Sequence, residues 1–224
     1  MRILVIEPIG SDKWNESDKE MFASNASPGT EVDVVSLSSG PLSIETRENF
    51  AEVLPLVVRK GLEVGDEYDA LIVNCFLDPG VDVLRSSIDK PVVGPCEASL
   101  AIAGLLGWRL AVVSISGGAL PMIEERIRAL GYGTRLVSLR GIGIPVLKLE
   151  EDLEATKEAV KREAEEALRE GAEVIVLGCT GLAGISKDVE DEVGVPVIDP
   201  AIAALRMAEV LAGMELKQSR KRYY

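Results

Sequence analysis

Two cysteines stand where a strand-and-helix sequence puts reactive groups. Cys75 ends the run Tyr68-Asp-Ala-Leu-Ile-Val-Asn-Cys75, and Cys179 ends Ala172-Glu-Val-Ile-Val-Leu-Gly-Cys179. Each run reads as a buried strand followed by a turn and a helix. Open α/β sheets bind ligands at the carboxyl ends of their strands. Amides at a helix N-terminus lower a thiol's pKa, and the same amides can hold an oxyanion. A lone cysteine is more often an inert buried residue, but two at matching places in a repeat argue for chemistry. The chain has no histidine. This removes Ser-His-Asp triads, Cys-His pairs and histidine-based metal sites. Acid/base work is left to thiol, carboxylate, Lys, Tyr or a bound group.

The elements that must position these thiols are legible as alternating patterns. Short β-branched runs predict strands at Ile3–Ile6, Val32–Leu37, Ala70–Asn74, Val92–Val93, Leu110–Ile115, Arg135–Leu139, Val174–Leu177 and Val197–Ile198. Helices are predicted at Ile44–Lys60, Val81–Ile88, Ala98–Leu106, Pro121–Leu130, Leu153–Glu170, Ser186–Glu192 and Ala201–Leu211. In Leu153–Glu170 the inward face is read as Leu153, Val160, Ala164 and Leu168, with Gly171 as the stop. Strands alternating with helices predict an α/β fold with mainly parallel sheets. The chain also repeats itself. Pro91-Val-Val follows Cys75 and Pro196-Val-Ile follows Cys179 at nearly the same distance, each before an Ala/Leu-rich helix. Two similar halves account for this more simply than one irregular domain.

Composition narrows the setting. The chain has 224 residues, 47% hydrophobic and 4% aromatic, with formal net charge −13. That length suits one large or two small domains, and the apolar content suits a packed core. The acidic balance disfavours nucleic acid and anionic membrane as partners. No apolar run is long enough to span a bilayer, and MRILVIEP reads as a strand rather than a signal peptide. A cytoplasmic setting is expected, with a small-molecule substrate and a homo-oligomeric assembly. Three widely spaced cysteines do not make a disulfide scaffold. Gln218 is the only glutamine while Glu, Lys and Arg abound, a trend seen in thermophilic proteins.

Around the thiols, Asp78-Pro79-Gly80 reads as a helix cap followed by an N1 proline. Backbone amides of Gly117-Gly118 and Thr180-Gly181 are candidate oxyanion donors, with hydroxyls from Ser114 and Ser116. The Gly117-Gly118 pair reads equally as a tight loop before a helix. Arg85 reads as solvated. Cys96 has no counterpart in the second half, where Asp199 or Pro200 falls, and reads as structural.

Cys75-Phe-Leu-Asp-Pro-Gly80 resembles the first cysteine motif of the aspartate/glutamate/hydantoin racemase superfamily, nearest its hydantoin racemase branch. Gly178-Cys-Thr-Gly-Leu-Ala183 resembles the second. Gly40-Pro-Leu-Ser-Ile-Glu45, Pro91-Val-Val-Gly-Pro-Cys-Glu-Ala98, Pro196-Val-Ile-Asp199 and the tail Lys217-Gln-Ser-Arg-Lys221 are also similar to family segments. The resemblance implies two pseudo-symmetric Rossmann-like lobes, 1–95 and 96–200, with 201–224 packing back on the first and the site in the interlobe cleft. It implies racemisation without a cofactor, Cys75 and Cys179 serving as the acid/base pair. A pyridoxal route would need a Schiff-base lysine, and none lies beside either motif. Substrates would be 5-substituted hydantoins or related ureides, or acidic amino acids. Glu7, Asn74 and Phe76 join Ser114, Ser116, Gly117, Gly118, Thr180 and Gly181 as substrate-contact candidates. Glu7 departs from the family's usual asparagine; it reads either as a structural cap or as an acceptor for ring or amino N–H groups. Rival readings are a maleate isomerase-like enzyme and a non-catalytic binding protein.

Overall fold

The computed structural model describes residues 1–115 and 118–219, which form two compact units. Unit 1 comprises Met1–Ile44, Glu48–Pro95 and the chain from Ala204 onward. Unit 2 comprises Glu45–Arg47 and Cys96–Ala203.

The sheet of unit 1 is built from β1 (Arg2–Glu7), β2 (Glu31–Ser36), β3 (Ala70–Val73) and β4 (Val92–Val93), all parallel, in the order β2-β1-β3-β4. Its helices are α1 (Asn15–Asn25), α2 (Arg47–Val64), α3 (Val81–Ser87) and α4 (Pro95–Leu106); the first residue of α2 and most of α4 belong to unit 2. Unit 2 repeats the plan with β5 (Leu110–Ser114), β6 (Leu136–Gly141), β7 (Val174–Leu177) and β8 (Val197–Ile198), again parallel, in the order β6-β5-β7-β8. Helices α5 (Ala119–Ala129), α6 (Leu153–Arg169), α7 (Ser186–Val193) and α8 (Pro200–Gly213) complete the series.

The middles of the central strands are continuous apolar runs because both faces are covered. Ile3, Leu4, Val5 and Ile6 of β1 have no solvent exposure, and neither do Ala70–Val73 of β3 or Val174–Leu177 of β7. Burying each Val, Leu or Ile side chain stabilises by about 1.5–3 kcal/mol, so these runs anchor the two cores. Helices α2 and α3 approach closely at Gly61, where a β-carbon would fall 2.6 Å from Leu84 Cδ2.

Three expectations need correction. Helix α1 is absent from the sequence reading because it buries only Phe22 and so lacks an apolar stripe. The buried face of α6 is Thr156, Ala159, Val160, Ala164 and Ala167, while Leu153 is about half exposed. Small side chains at this spacing let the helix lie close to its sheet, which the larger Leu153 and Leu168 would not. Arg85 is not solvated: it is buried, and its Nε donates to the Val92 carbonyl at 2.8 Å, tying α3 to β4.

The short last strands are completed by side chains. The Gln218 carboxamide makes both bonds to Val92, accepting from its N–H at 3.1 Å and donating to its carbonyl at 3.2 Å. In unit 2, Glu190 Oε2 accepts the Val197 N–H at 3.0 Å. Among the described residues no helix is long and apolar enough to cross a membrane.

Candidate active site

Each cysteine follows the third-placed strand of its sheet, at the carboxyl end. In unit 1 the Asn74 N–H donates to the Ile6 carbonyl at 2.9 Å, holding the end of β3 against β1. The Asp78 N–H then donates back to the Cys75 carbonyl at 2.9 Å, which closes the turn. In unit 2 the Gly178 N–H donates to the Val113 carbonyl at 2.7 Å and the Leu182 N–H to the Cys179 carbonyl at 3.1 Å. These two bonds correspond in the two units, while a third, from the Cys75 N–H to the Val73 carbonyl at 2.8 Å, is found in unit 1. Cys75 and Cys179 are in no disulfide and are partly exposed, whereas Cys96 is fully buried in α4. Helices α4 and α8 both begin at proline, so Cys96 matches Ala201 rather than Asp199 or Pro200.

Side chains at the strand ends differ between the units. Asn74 Nδ2 donates to Glu7 Oε1 at 2.7 Å, and both residues are almost buried. Burial pushes the Glu7 carboxyl well above the usual carboxylate range, and the nearby Asp18 of α1 adds to this by its charge and a hydrogen bond. Two carboxyl groups can hydrogen-bond to each other only around a proton, so Glu7 holds one more readily than an exposed glutamate. At the matching place in unit 2, the buried Ser114 Oγ donates to the Gly178 carbonyl at 2.6 Å. Gly178 has to be glycine: a β-carbon would lie 2.6 Å from Val112 Cγ1 and 2.7 Å from Ser114 Cβ.

The Cys179 thiol is pushed up to about 11. Burial among its neighbours is the main cause, despite its partial exposure; the Glu45 carboxylate adds to it, and the amides of Gly181 and Leu182 oppose it. The amides beside this sulfur are therefore those of Gly181 and Leu182, one residue further along than the expected Thr180-Gly181 pair. Thr180 and Gly181 lie in the single 3-10 turn Thr180–Leu182 that follows the cysteine. Gly118 precedes α5, and Phe76 is buried directly after Cys75. Ser116 and Gly117 fall outside the described residues.

Asp78 does not cap α3. That helix starts at Val81, its cap is Gly80 in the left-handed conformation, and no side chain bonds the cap. Asp78, itself at φ +50, instead turns its carboxyl to Gly94, where a β-carbon would lie 2.3 Å from it. In unit 2 the residue matching Gly94 is Asp199. Its carboxylate accepts the Ala201 and Ile202 N–H groups at 3.0 and 3.2 Å, and reaches back to the Gly184 N–H at 2.7 Å. Each unit thus has a carboxyl beside its cysteine loop, Asp78 lying against Gly94 in one and Asp199 bonding Gly184 in the other. Sequence reading missed Asp199 in this role, together with Asp18 and Glu45. The Pro-Val-Val-Gly and Pro-Val-Ile-Asp segments held the signal, since the residue gained in one half is missing from the other.

Residues 3–208 match the family model described as Asp/Glu/Hydantoin racemase. A hydantoin racemase of Paenarthrobacter aurescens is 36% identical over 229 aligned residues, covering 100% of this chain and 96% of that protein. The crystal structure of an allantoin racemase from Pseudomonas fluorescens matches with a TM-score of 0.93 at 35% identity, covering 98% of this chain and 94% of the other. A maleate isomerase from Pseudomonas putida S16 has a TM-score of 0.72 at 18% identity, covering 96% and 93%, a likeness of fold alone.

Proposed function

We propose, from the premise that this chain belongs to the Asp/Glu/hydantoin racemase family and is an isomerase of the racemase kind, that it inverts a carbon next to a carbonyl with Cys75 and Cys179 as its two acid/base groups. The observation that carries this reading is the equivalence of the two thiols. Each follows the same strand of the same four-strand order and is held by the same pair of backbone bonds.

In the forward step one sulfur, as thiolate, takes the proton from carbon. The C–H electron pair moves onto the carbonyl oxygen as an enolate, and an S–H bond forms. The second sulfur, as thiol, gives its proton to the opposite face and becomes the thiolate. The two sulfurs have exchanged forms, and the reverse reaction uses them in the opposite roles. The chemistry requires one sulfur on each face of a flat intermediate. General acid/base groups of this kind contribute about 10²–10⁴-fold each.

The substrate is a neutral cyclic ureide of the hydantoin type. Carboxyls stand at the strand ends from which the cysteine loops leave, Glu7 with Asp18 in unit 1, and Glu45 acts on Cys179 in unit 2. Carboxyls repel a dicarboxylate but accept hydrogen bonds from ring N–H groups. The test is incubation in D2O with single enantiomers of 5-substituted hydantoins, allantoin, aspartate and glutamate, and with maleate. Mass spectrometry and chiral separation follow the products. Deuterium uptake with racemisation of a ureide is the expected result. Cys75→Ser and Cys179→Ser should each lower racemisation by about 10²–10⁴-fold; exchange kept on one enantiomer alone still fits, because one base acts on its own face. No exchange with any carbon acid, or turnover of maleate only, would overturn the reading.

A further inference from the structure

Glu45–Arg47 cluster with unit 2, although the sequence on both sides of them belongs to unit 1. This clip is fastened in unit 2 at several points. The Arg47 guanidinium forks onto the Glu125 carboxylate of α5, at 3.0 Å from Nη1 and 2.5 Å from Nη2. The Glu45 carbonyl lies over Gly118, where a β-carbon would come within 2.9 Å of it. Glu45 Oε1 accepts the Val146 N–H at 3.3 Å. Val146 in turn belongs to the wall around the reactive sulfur. A β-carbon on Gly181 would lie 4.0 Å from Val146 Cγ1, 3.0 Å from Leu149 Cδ1 and 3.6 Å from Cys179 Sγ. The clip therefore delivers a carboxylate into the loops that hold Cys179, and its charge acts on that thiol.

We infer that Glu45 is a positioning residue for Cys179: the clip sets its carboxylate in the loops around that sulfur, where its charge adds to burial in opposing the thiolate and suits Cys179 to the role of acid in the resting protein. The inference rests on the two-thiol reading above. It does not favour one enantiomer overall. Mirror-image substrates have equal free energies in water, so kcat/KM must be equal in the two directions. The bias shows instead in the protonation of the free protein. A negative charge beside a thiol raises the cost of its ionised form, which is also negative. At neutral pH a sulfur so placed stays a thiol, ready to donate. Only the turnover that converts it to thiolate makes it a base.

The test uses the full chain carrying Cys75→Ser and Cys96→Ser, so that Cys179 is the only thiol. Its thiolate is titrated by ultraviolet absorbance and by the rate of alkylation with iodoacetamide. Glu45→Gln keeps the acceptor for the Val146 N–H and removes the charge. It should move the titration midpoint down and raise alkylation near pH 8 by roughly tenfold, the effect of about one pKa unit. Glu45→Asp, which keeps the charge, should stay close to the parent. In the protein with all its cysteines, Glu45→Gln should move the alkaline limb of the racemisation profile to lower pH, because the acid form of Cys179 is lost sooner.

A folded Glu45→Gln protein with an unmoved Cys179 midpoint would overturn the inference. So would an equal shift in Glu45→Asp, which would assign the effect to packing. Arg47→Ala is the second arm if Glu45→Gln does not fold. It loosens the clip but leaves the carboxylate, and should shift the midpoint in the same direction by less; no shift counts against the inference. If the midpoint moves as expected but no substrate exchanges hydrogen, the charge coupling stands and the racemase reading is what fails.

Discussion

The ends of β1 and β3 in unit 1 and of β5 and β7 in unit 2 have one backbone pattern and two side-chain chemistries. In unit 1 a carboxyl and an amide face each other, Glu7 and Asn74. In unit 2 a hydroxyl grips a main-chain carbonyl, Ser114 on Gly178. The bond between neighbouring strands before each cysteine and the bond that closes the turn after it are common to both. The duplicated part is therefore the scaffold for a sulfur, and the part that has diverged is the charge around it. The two-thiol reaction proposed above calls for sulfurs alike in placement and unlike in surroundings.

The comparison can be broken most forcibly at Gly178. Gly178→Ala puts a β-carbon into Val112 and Ser114, both fixed by the sheet, and should cost about 3 kcal/mol of stability, the upper end for overpacking a core. Chemical denaturation would measure it. At the matching position in unit 1 a side chain is already accommodated, so Asn74→Ala loses a hydrogen bond without a clash. Its expected cost is smaller, about 1–2 kcal/mol. If the two costs were equal, the strand ends would not differ as described.

Glu7→Gln sharpens the contrast through pH. The folded state raises the Glu7 pKa, chiefly by burial. Stability tied to its protonated form is complete below the ordinary glutamate pKa and is lost as pH rises through the raised one. Gln imitates the protonated form and does not titrate. The melting temperature of the variant relative to the parent should therefore climb across the window that opens above the ordinary glutamate pKa. A flat difference across that window would mean that Glu7 is not perturbed.

The strands were legible from sequence because a parallel strand covered on both faces must be apolar throughout, as in Ile3–Ile6 and Val174–Leu177. The paired cysteine motifs were legible for a related reason, each cysteine standing one residue past the end of such a run, after Asn74 and Gly178. What was hidden depended on partners distant in the chain. The Asp78 side chain looks like a local helix cap until Gly94 is seen to leave room for it. Glu45 sits in the first half of the sequence, and its partners Val146, Gly118 and Cys179 are all in unit 2. Helix α1 carries no periodic stripe to reveal it, since Phe22 alone is buried.

Gln218 and Glu190 have one further consequence. A short terminal strand with bare amides and carbonyls is a template on which another chain can polymerise edge to edge. At Val92 the glutamine carboxamide imitates the missing neighbour, supplying both an acceptor and a donor, and at Val197 a glutamate takes the amide. Self-association of this protein through either rim would first have to evict a side chain that already plays the part of the next strand.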